Sequence, residues 1–182
     1  MLTVDELRIL LKINNITTEF TDEELEYLIN QKIIELQGLL GFDITPTTHT
    51  EIIRHYHDNK LILNYYNLTT IQELTLNNIN ISDMVQVIDN ELSIIYFIKN
   101  MHGLLKITYI TCLPENKIIT YINPLLGDMI MYTLQDNWGK DATTIKEGDV
   151  SVSYDANLSL GNRILTRIQD LKNAYNARVR LI

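Results

Sequence analysis

Apolar residues recur along this chain with two different periods. Near the amino end, Leu25, Leu28, Ile29, Leu36 and Leu40 approximate one stripe, widened by Ile33, which is the spacing of an amphipathic helix. The stripe opens on Thr21-Asp22-Glu23-Glu24 and closes at Gly41. Those are the capping box and the C-cap glycine that bound a helix. An earlier helix is predicted from Thr3-Val4-Asp5-Glu6, a second capping box, to about Ile13. The polar stretch NNITTEF separates the two.

From about Ile52 to Cys112 the period changes. LILNYY, TIQELTL, MVQVI, LSIIYFI and LLKITYITC are short runs rich in β-branched and aromatic residues. They predict strands of an antiparallel meander, with HDNK, NNINISD, DNE and KNMHG as the turns between them. In LKITYIT, Leu105, Ile107, Tyr109 and Thr111 fall on one face and Lys106, Thr108 and Ile110 on the other.

Helical spacing then returns. Asn123 reads as an N-cap with Pro124 at the first helical position, followed by Leu126, Met129, Ile130, Thr133, Leu134 and Trp138 up to Gly139. Val150, Val152 and Tyr154 alternate with Ser151 and Ser153 after a Gly148-Asp149 turn, which predicts a short strand. A last helix starts near Ser159, carries the stripe Leu160, Ile164, Ile168, Leu171 and Tyr175, and ends in ARVRLI. The expected fold class is therefore α+β. A mostly helical single domain over 1–182 would hold an antiparallel β module inserted at about 52–112 and a short strand before the C-terminal helix.

Charge sharpens this picture. The 182 residues carry a net charge of −8, which argues against a protein built to grip phosphates. The balance is uneven: residues 1–43 hold nine acids against three bases, a net of −6, and residues 161–182 hold five bases against one acid, a net of +4. Such ends fit packing of the first helices on the last, contact between copies of the chain, or docking on an acidic partner. One cysteine, Cys112, excludes an internal disulfide framework and reads as a buried thiol. No apolar run is long enough for a membrane span, and no signal-peptide pattern opens the chain. The expectation is a protein made in a cytoplasm, with no membrane partner.

Catalytic signatures are missing. The sequence has no P-loop, GxGxxG, GxSxG or HExxH motif. GLLG at 38–41 has no basic residue and reads as a helix end. Asp22, Glu23 and Glu24 sit where a helix start favours acids. His55 and His57 are two apart, so on a strand both imidazoles would share a face, with Asp58 and His49 nearby. A strong zinc site needs more ligands than this, so no catalytic, cofactor or metal residues are assigned. The Tyr residues do not alternate with Lys or Arg as a base-stacking platform would.

Three stretches in order resemble the head–tail connector (adaptor) proteins of tailed bacteriophages. They are TDEELEYLINQKIIELQGLLG, KITYITCLPENKIITYINPLLGDMIMYTLQDNW and IKEGDVSVSYDANLSLGNRILTRIQDLKNAY. The resemblance implies a structural, non-enzymatic virion protein at the head–tail neck. It implies a ring of copies, expected to be a dodecamer, with the portal protein and a tail or stopper protein as partners and DNA passing through unheld. By the same analogy the loop Lys146, Glu147, Gly148 and Asp149 faces the channel. The segment Arg178, Val179, Arg180, Leu181 and Ile182, basic with an apolar tip, is the expected portal or subunit interface. Two alternatives stay open: a tail-completion or stopper protein of the same neck, and a small metal- or ligand-binding enzyme using His55 and His57.

Overall fold

The computed structural model describes residues 1–16, 19–134, 144–147, 150–153 and 160–179, and within these the side chains outside 144–153 and 175–179. The chain divides into two units: Met1–Gly41 together with residues from Glu115 onward, and Phe42–Pro114 between them.

In the first unit, α1 (Val4–Ile13) and α2 (Asp22–Leu40) both begin with full capping boxes. Thr3 accepts from the Glu6 amide at 3.2 Å and its own amide donates to Glu6 Oε2 at 2.8 Å. Thr21 and Glu24 repeat the exchange at 3.3 and 2.8 Å. Each box satisfies two amides that a helix start leaves without partners. Gly41 ends α2 at φ 77, where its amide donates to the Gln37 carbonyl. Arg8 of α1 grips Asp22 in the first turn of α2 at 2.5 Å. Leu25, Ile29, Ile33, Leu36 and Leu40 of α2 are buried, as the stripe requires.

Residues after Glu115 form one nearly continuous helical path: α3 (Glu115–Lys117), a π-helical turn (Ile118–Ile122) and α4 (Asn123–Leu134). Asn123 is therefore not an N-cap. It has helical dihedrals, φ −57 and ψ −46, inside the path. Pro124 lacks an amide hydrogen and would collide with the preceding turn of a regular helix. The wider π turn just before it relieves that conflict. Gly127 lets α1 approach α4 closely: a Cβ there would lie 3.0 Å from Leu10 Cδ1. In α5 (Leu160–Val179), Ile164 and Ile168 are buried, and Arg167 pairs with Asp128 of α4.

The second unit is a five-stranded antiparallel sheet of β1 (Thr47–Ile62), β2 (Leu68–Leu76), β3 (Ile79–Asn80), β4 (Val85–Asp89) and β5 (Ile94–Thr111). β5 is central. It pairs with β1 along its length, with β2 over its second half and with β4 over its first. One face holds the core: Tyr56, Leu61, Leu68, Leu74, Ile95, Phe97, Met101, Leu105, Ile107 and Tyr109 pack together, with Leu63 and Ile81 from the connections. Strands and their connections supply all of it, so the sheet must curl around its own apolar face.

This sheet overturns the expectation of a mostly helical chain. β1 and β5 are 16 and 18 residues long, where the sequence shows interrupted runs. HDNK lies inside β1 and KNMHG inside β5, both read from sequence as turns. Register shifts between Ile53 and Tyr56 and between Asp58 and Lys60 absorb the irregular residues as bulges. The polar stretch from Thr47 to Glu51 also pairs, against Thr111 to Ile107. Backbone pairing needs no apolar side chains, so no periodicity announced it. Gly103, opposite Tyr56, sits at φ 144, and a Cβ there would lie 2.4 Å from Asn77 Oδ1. That Asn77 oxygen accepts from the Leu104 amide at 2.9 Å. Only glycine tolerates both demands.

A separate two-stranded antiparallel sheet pairs β6 (Thr144–Glu147) with β7 (Val150–Ser153), Glu147 opposite Val150. The short strand predicted before the last helix is thus half of a two-stranded sheet.

Candidate assembly surfaces

α2 has two faces of opposite character. Its outer one carries Glu23, Tyr27, Gln31 and Ile34, spaced i, i+4, i+8 and i+11, with Glu26 beside them. All are exposed. Tyr27 and Ile34 are 67% and 66% accessible, among the most open large apolar side chains described. Gln31 Nε2 donates to the Tyr27 hydroxyl at 3.0 Å, which fixes the ring along the helix. The result is an apolar strip rimmed by carboxylates.

In the same unit α2, α4 and α5 leave a groove of about 490 Å³. Leu39, Met129, Ile164, Leu165 and Ile168 make it apolar. Leu165 is 63% exposed at its mouth. Lys32 lines it, held to Glu35 at 2.7 Å, and Lys172 follows Ile168 by one turn on the same side of α5. One molecule thus carries an acidic apolar strip and an apolar groove lined by the Lys32–Glu35 pair, with Lys172 one turn beyond Ile168.

The sheet's outer face is of another kind. Register places Thr48, Thr50 and Ile52 of β1 beside Ile110, Thr108 and Lys106 of β5, and these beside Thr70, Glu73 and Thr75 of β2. Lys106 pairs with Glu73 at 2.8 Å, and the Thr50 and Thr108 hydroxyls meet at 3.1 Å. Such lateral pairing suits a face turned to water.

One end of the sheet core is polar. Asp43 Oδ2 accepts from Thr111 Oγ1 at 2.6 Å and lies 2.7 Å from His49 Nε2. His49 stacks on Tyr65 with centroids 3.6 Å apart. The Tyr109 hydroxyl donates to Glu51; burial and then that carboxylate push its pKa far above the ordinary tyrosine value. Glu51 also accepts from the Asn64 amide and side chain, each at 2.9 Å. The arrangement has a His–Asp pair but no activated nucleophile beside it. Burial, with Asp43 adding to it, pushes the Cys112 thiol up, away from the reactive thiolate. The Cys112 sulfur donates to the Ile44 carbonyl at 3.3 Å. The cluster ties β1, β5 and the connection at 63–67 together.

Of the two histidines suggested as a pair, His57 has another partner. His57 faces His102 across β1 and β5, with Nδ1 atoms 2.7 Å apart. His55 lies within the bulge between Ile53 and Tyr56. Among the described residues no group of three or more His, Cys, Asp or Glu could hold a metal ion. Of the expected channel loop, Lys146 and Glu147 end β6, while Gly148 and Asp149 lie outside the described residues. Of the expected interface, Arg178 and Val179 close α5, while Arg180, Leu181 and Ile182 lie outside the described residues. Sequence reasoning missed the α2 strip and the groove. Tyr27 and Ile34 fell off the buried stripe, and that departure was the available signal. The His57–His102 contact depends on strand register and left none. No described helix is long and apolar enough to cross a membrane.

No protein-family model matches the chain, and no curated protein does. A solved structure shares its fold: a chain in "Neck of empty GTA particle computed with C6 symmetry", GTA denoting a gene transfer agent. The match has a TM-score of 0.50 at 15% sequence identity and covers 90% of this chain and 88% of that one. This protein is thus similar in fold to a component of a phage-like particle neck.

Proposed function

We propose that this protein is a structural component of the head–tail neck of a phage-like particle, where its copies form a ring between the portal and the tail. The observation that carries this reading is the pair of unlike, complementary faces in one helical unit. A strip with Tyr27, Ile34, Glu23 and Glu26 meets, in the next copy, a groove with Leu165, Leu39, Lys32 and Lys172. Contact between different patches of identical copies is heterologous, and it closes into a ring when the rotation between copies allows. The fold shared with a neck component solved with C6 symmetry supports the same reading. Six-fold symmetry is compatible with the dodecamer that the sequence resemblance implies. The net charge of −8 suits a conduit through which DNA slides without being gripped.

The portal contact belongs, on this reading, to residues 178–182. Arg178 and Arg180 would meet an acidic surface, and Val179, Leu181 and Ile182 would each contribute about 1.5–3 kcal/mol if fully covered. The loop at 146–149 would face the channel or the next ring. Deleting residues 176–182 tests the docking role. The truncated protein should keep its far-ultraviolet circular dichroism and lose binding to the portal in a pull-down. Undiminished portal binding would remove the role assigned to this segment.

A further inference from the structure

His57 and His102 serve none of the contacts proposed above. They occupy opposite positions on the two longest strands. Their rings are exposed, with centroids 5.0 Å apart and planes at 49°. The backbone on both sides is anchored. Tyr56 and Met101, the neighbours in sequence, are buried in the sheet core at 7% and 4% exposure. Gly103 is held against Asn77 one residue beyond His102. The two imidazoles are therefore presented as a fixed pair rather than as two independent surface groups.

Their contact constrains their chemistry. With Nδ1 atoms 2.7 Å apart, one nitrogen must donate and the other accept, so at least one ring is neutral. A neutral imidazole is also the form that binds metals. We infer that His57 and His102 form a bidentate site for a divalent transition ion, which replaces the proton shared between the two Nδ1 atoms. The two nitrogens are close enough for one ion to reach both. Imidazole nitrogens bind at about 2.0–2.1 Å. Two such nitrogens at a right angle around the ion lie about 2.9 Å apart, and at a tetrahedral angle about 3.3 Å. The observed 2.7 Å is close to the right-angle value. Two imidazole donors suit a nitrogen-preferring ion, and copper(II) stands above zinc(II) in affinity for such donors. Among the described residues no third His, Cys, Asp or Glu completes the set, so water fills the remaining positions.

The site makes no use of the other histidines. His49 is engaged by Asp43 and Tyr65, and His55 lies in the bulge on the far side of Tyr56. Copper(II) titration of the full-length protein tests the assignment, read by calorimetry and by electron paramagnetic resonance. Wild type should bind one copper per chain with hyperfine coupling from two nitrogens, and should bind zinc at least ten-fold more weakly. His57→Gln and His102→Gln should each weaken copper binding ten-fold or more and leave a single coupled nitrogen. His55→Gln should change neither, and unchanged circular dichroism in all variants keeps the comparison clean. Absence of copper binding to wild type, equal weakening by His55→Gln, or full affinity in His57→Gln would overturn the site. None of these outcomes depends on whether the protein sits in a virion neck.

Discussion

The two units handle apolar surface differently. The sheet gathers its large side chains onto one face, where Ile95, Leu74, Leu105, Ile107 and Tyr109 are fully buried. Its other face mixes threonines, the Lys106–Glu73 pair and histidines with scattered open side chains such as Ile52. The helical unit buries one stripe of α2, leaves Tyr27 and Ile34 open on the opposite side, and has a groove that its own helices do not fill. Both units leave large apolar side chains open, Ile52, Ile79 and Ile98 in the sheet unit among them, but in the helical unit Leu39 and Leu165 border a groove. Open apolar side chains ringed by charge are a feature of association surfaces rather than of folding. The sheet core thus carries stability, and the proposed assembly uses the helical unit.

Substitutions should separate these roles. The largest effect is expected for Phe97→Ala in the sheet core, where the ring is 1% exposed and packs edge-on against Tyr56. It should cost about 3–5 kcal/mol in urea denaturation, with loss of amide protection concentrated in β1 and β5. Alkaline pH should come next. Tyr56 is buried, and burial, with Asp58 adding to it, pushes its pKa up to about 12. A raised tyrosine pKa means the folded state favours the neutral form. The stability it contributes is complete below about pH 10 and is lost as pH rises through about 12. The loss should be roughly 1–3 kcal/mol and should shrink in Tyr56→Phe. The Tyr56 hydroxyl is buried without a hydrogen-bond partner, so that variant should be no less stable than wild type at neutral pH.

Smaller still, Thr21→Ala removes the α2 capping box and should cost about 1 kcal/mol, read as a shift in thermal unfolding. Smallest for folding is Leu165→Glu, at an exposed position on the groove, which should change stability by less than about 0.5 kcal/mol. If the comparison is right, this mildest substitution for folding is the most damaging for self-association, measured by sedimentation. A Leu165→Glu protein that associates normally would break it.

The helix starts were legible in sequence because capping is local: Thr3 with Glu6 and Thr21 with Glu24 need only their own turn. The buried face of β5 was legible for the same reason, since Leu105, Ile107, Tyr109 and Thr111 alternate without interruption. What escaped was set by partners distant in the chain. Asn123 looks like an N-cap until the π turn before Pro124 is seen. KNMHG looks like a turn until Asn77, from another strand's end, holds Leu104 and leaves room only for Gly103. The His57–His102 contact requires the register of strands 45 residues apart. The groove requires three helices, and no one of them signals it.

The central claim is that the α2 strip of one copy enters the groove of the next, and exchanged charges test it directly. One variant carries Glu23→Lys with Glu26→Lys, and a second carries Leu165→Glu with Lys172→Glu. Native mass spectrometry would follow each alone and both mixed in equal amounts, at concentrations where the wild type forms its ring. Each alone should remain monomeric, because every contact would oppose like charges. The mixture should recover rings of even copy number, in which native and exchanged contacts alternate. Rings from either variant alone, a mixture that stays monomeric, or a wild type that forms no ring at any concentration would contradict the account.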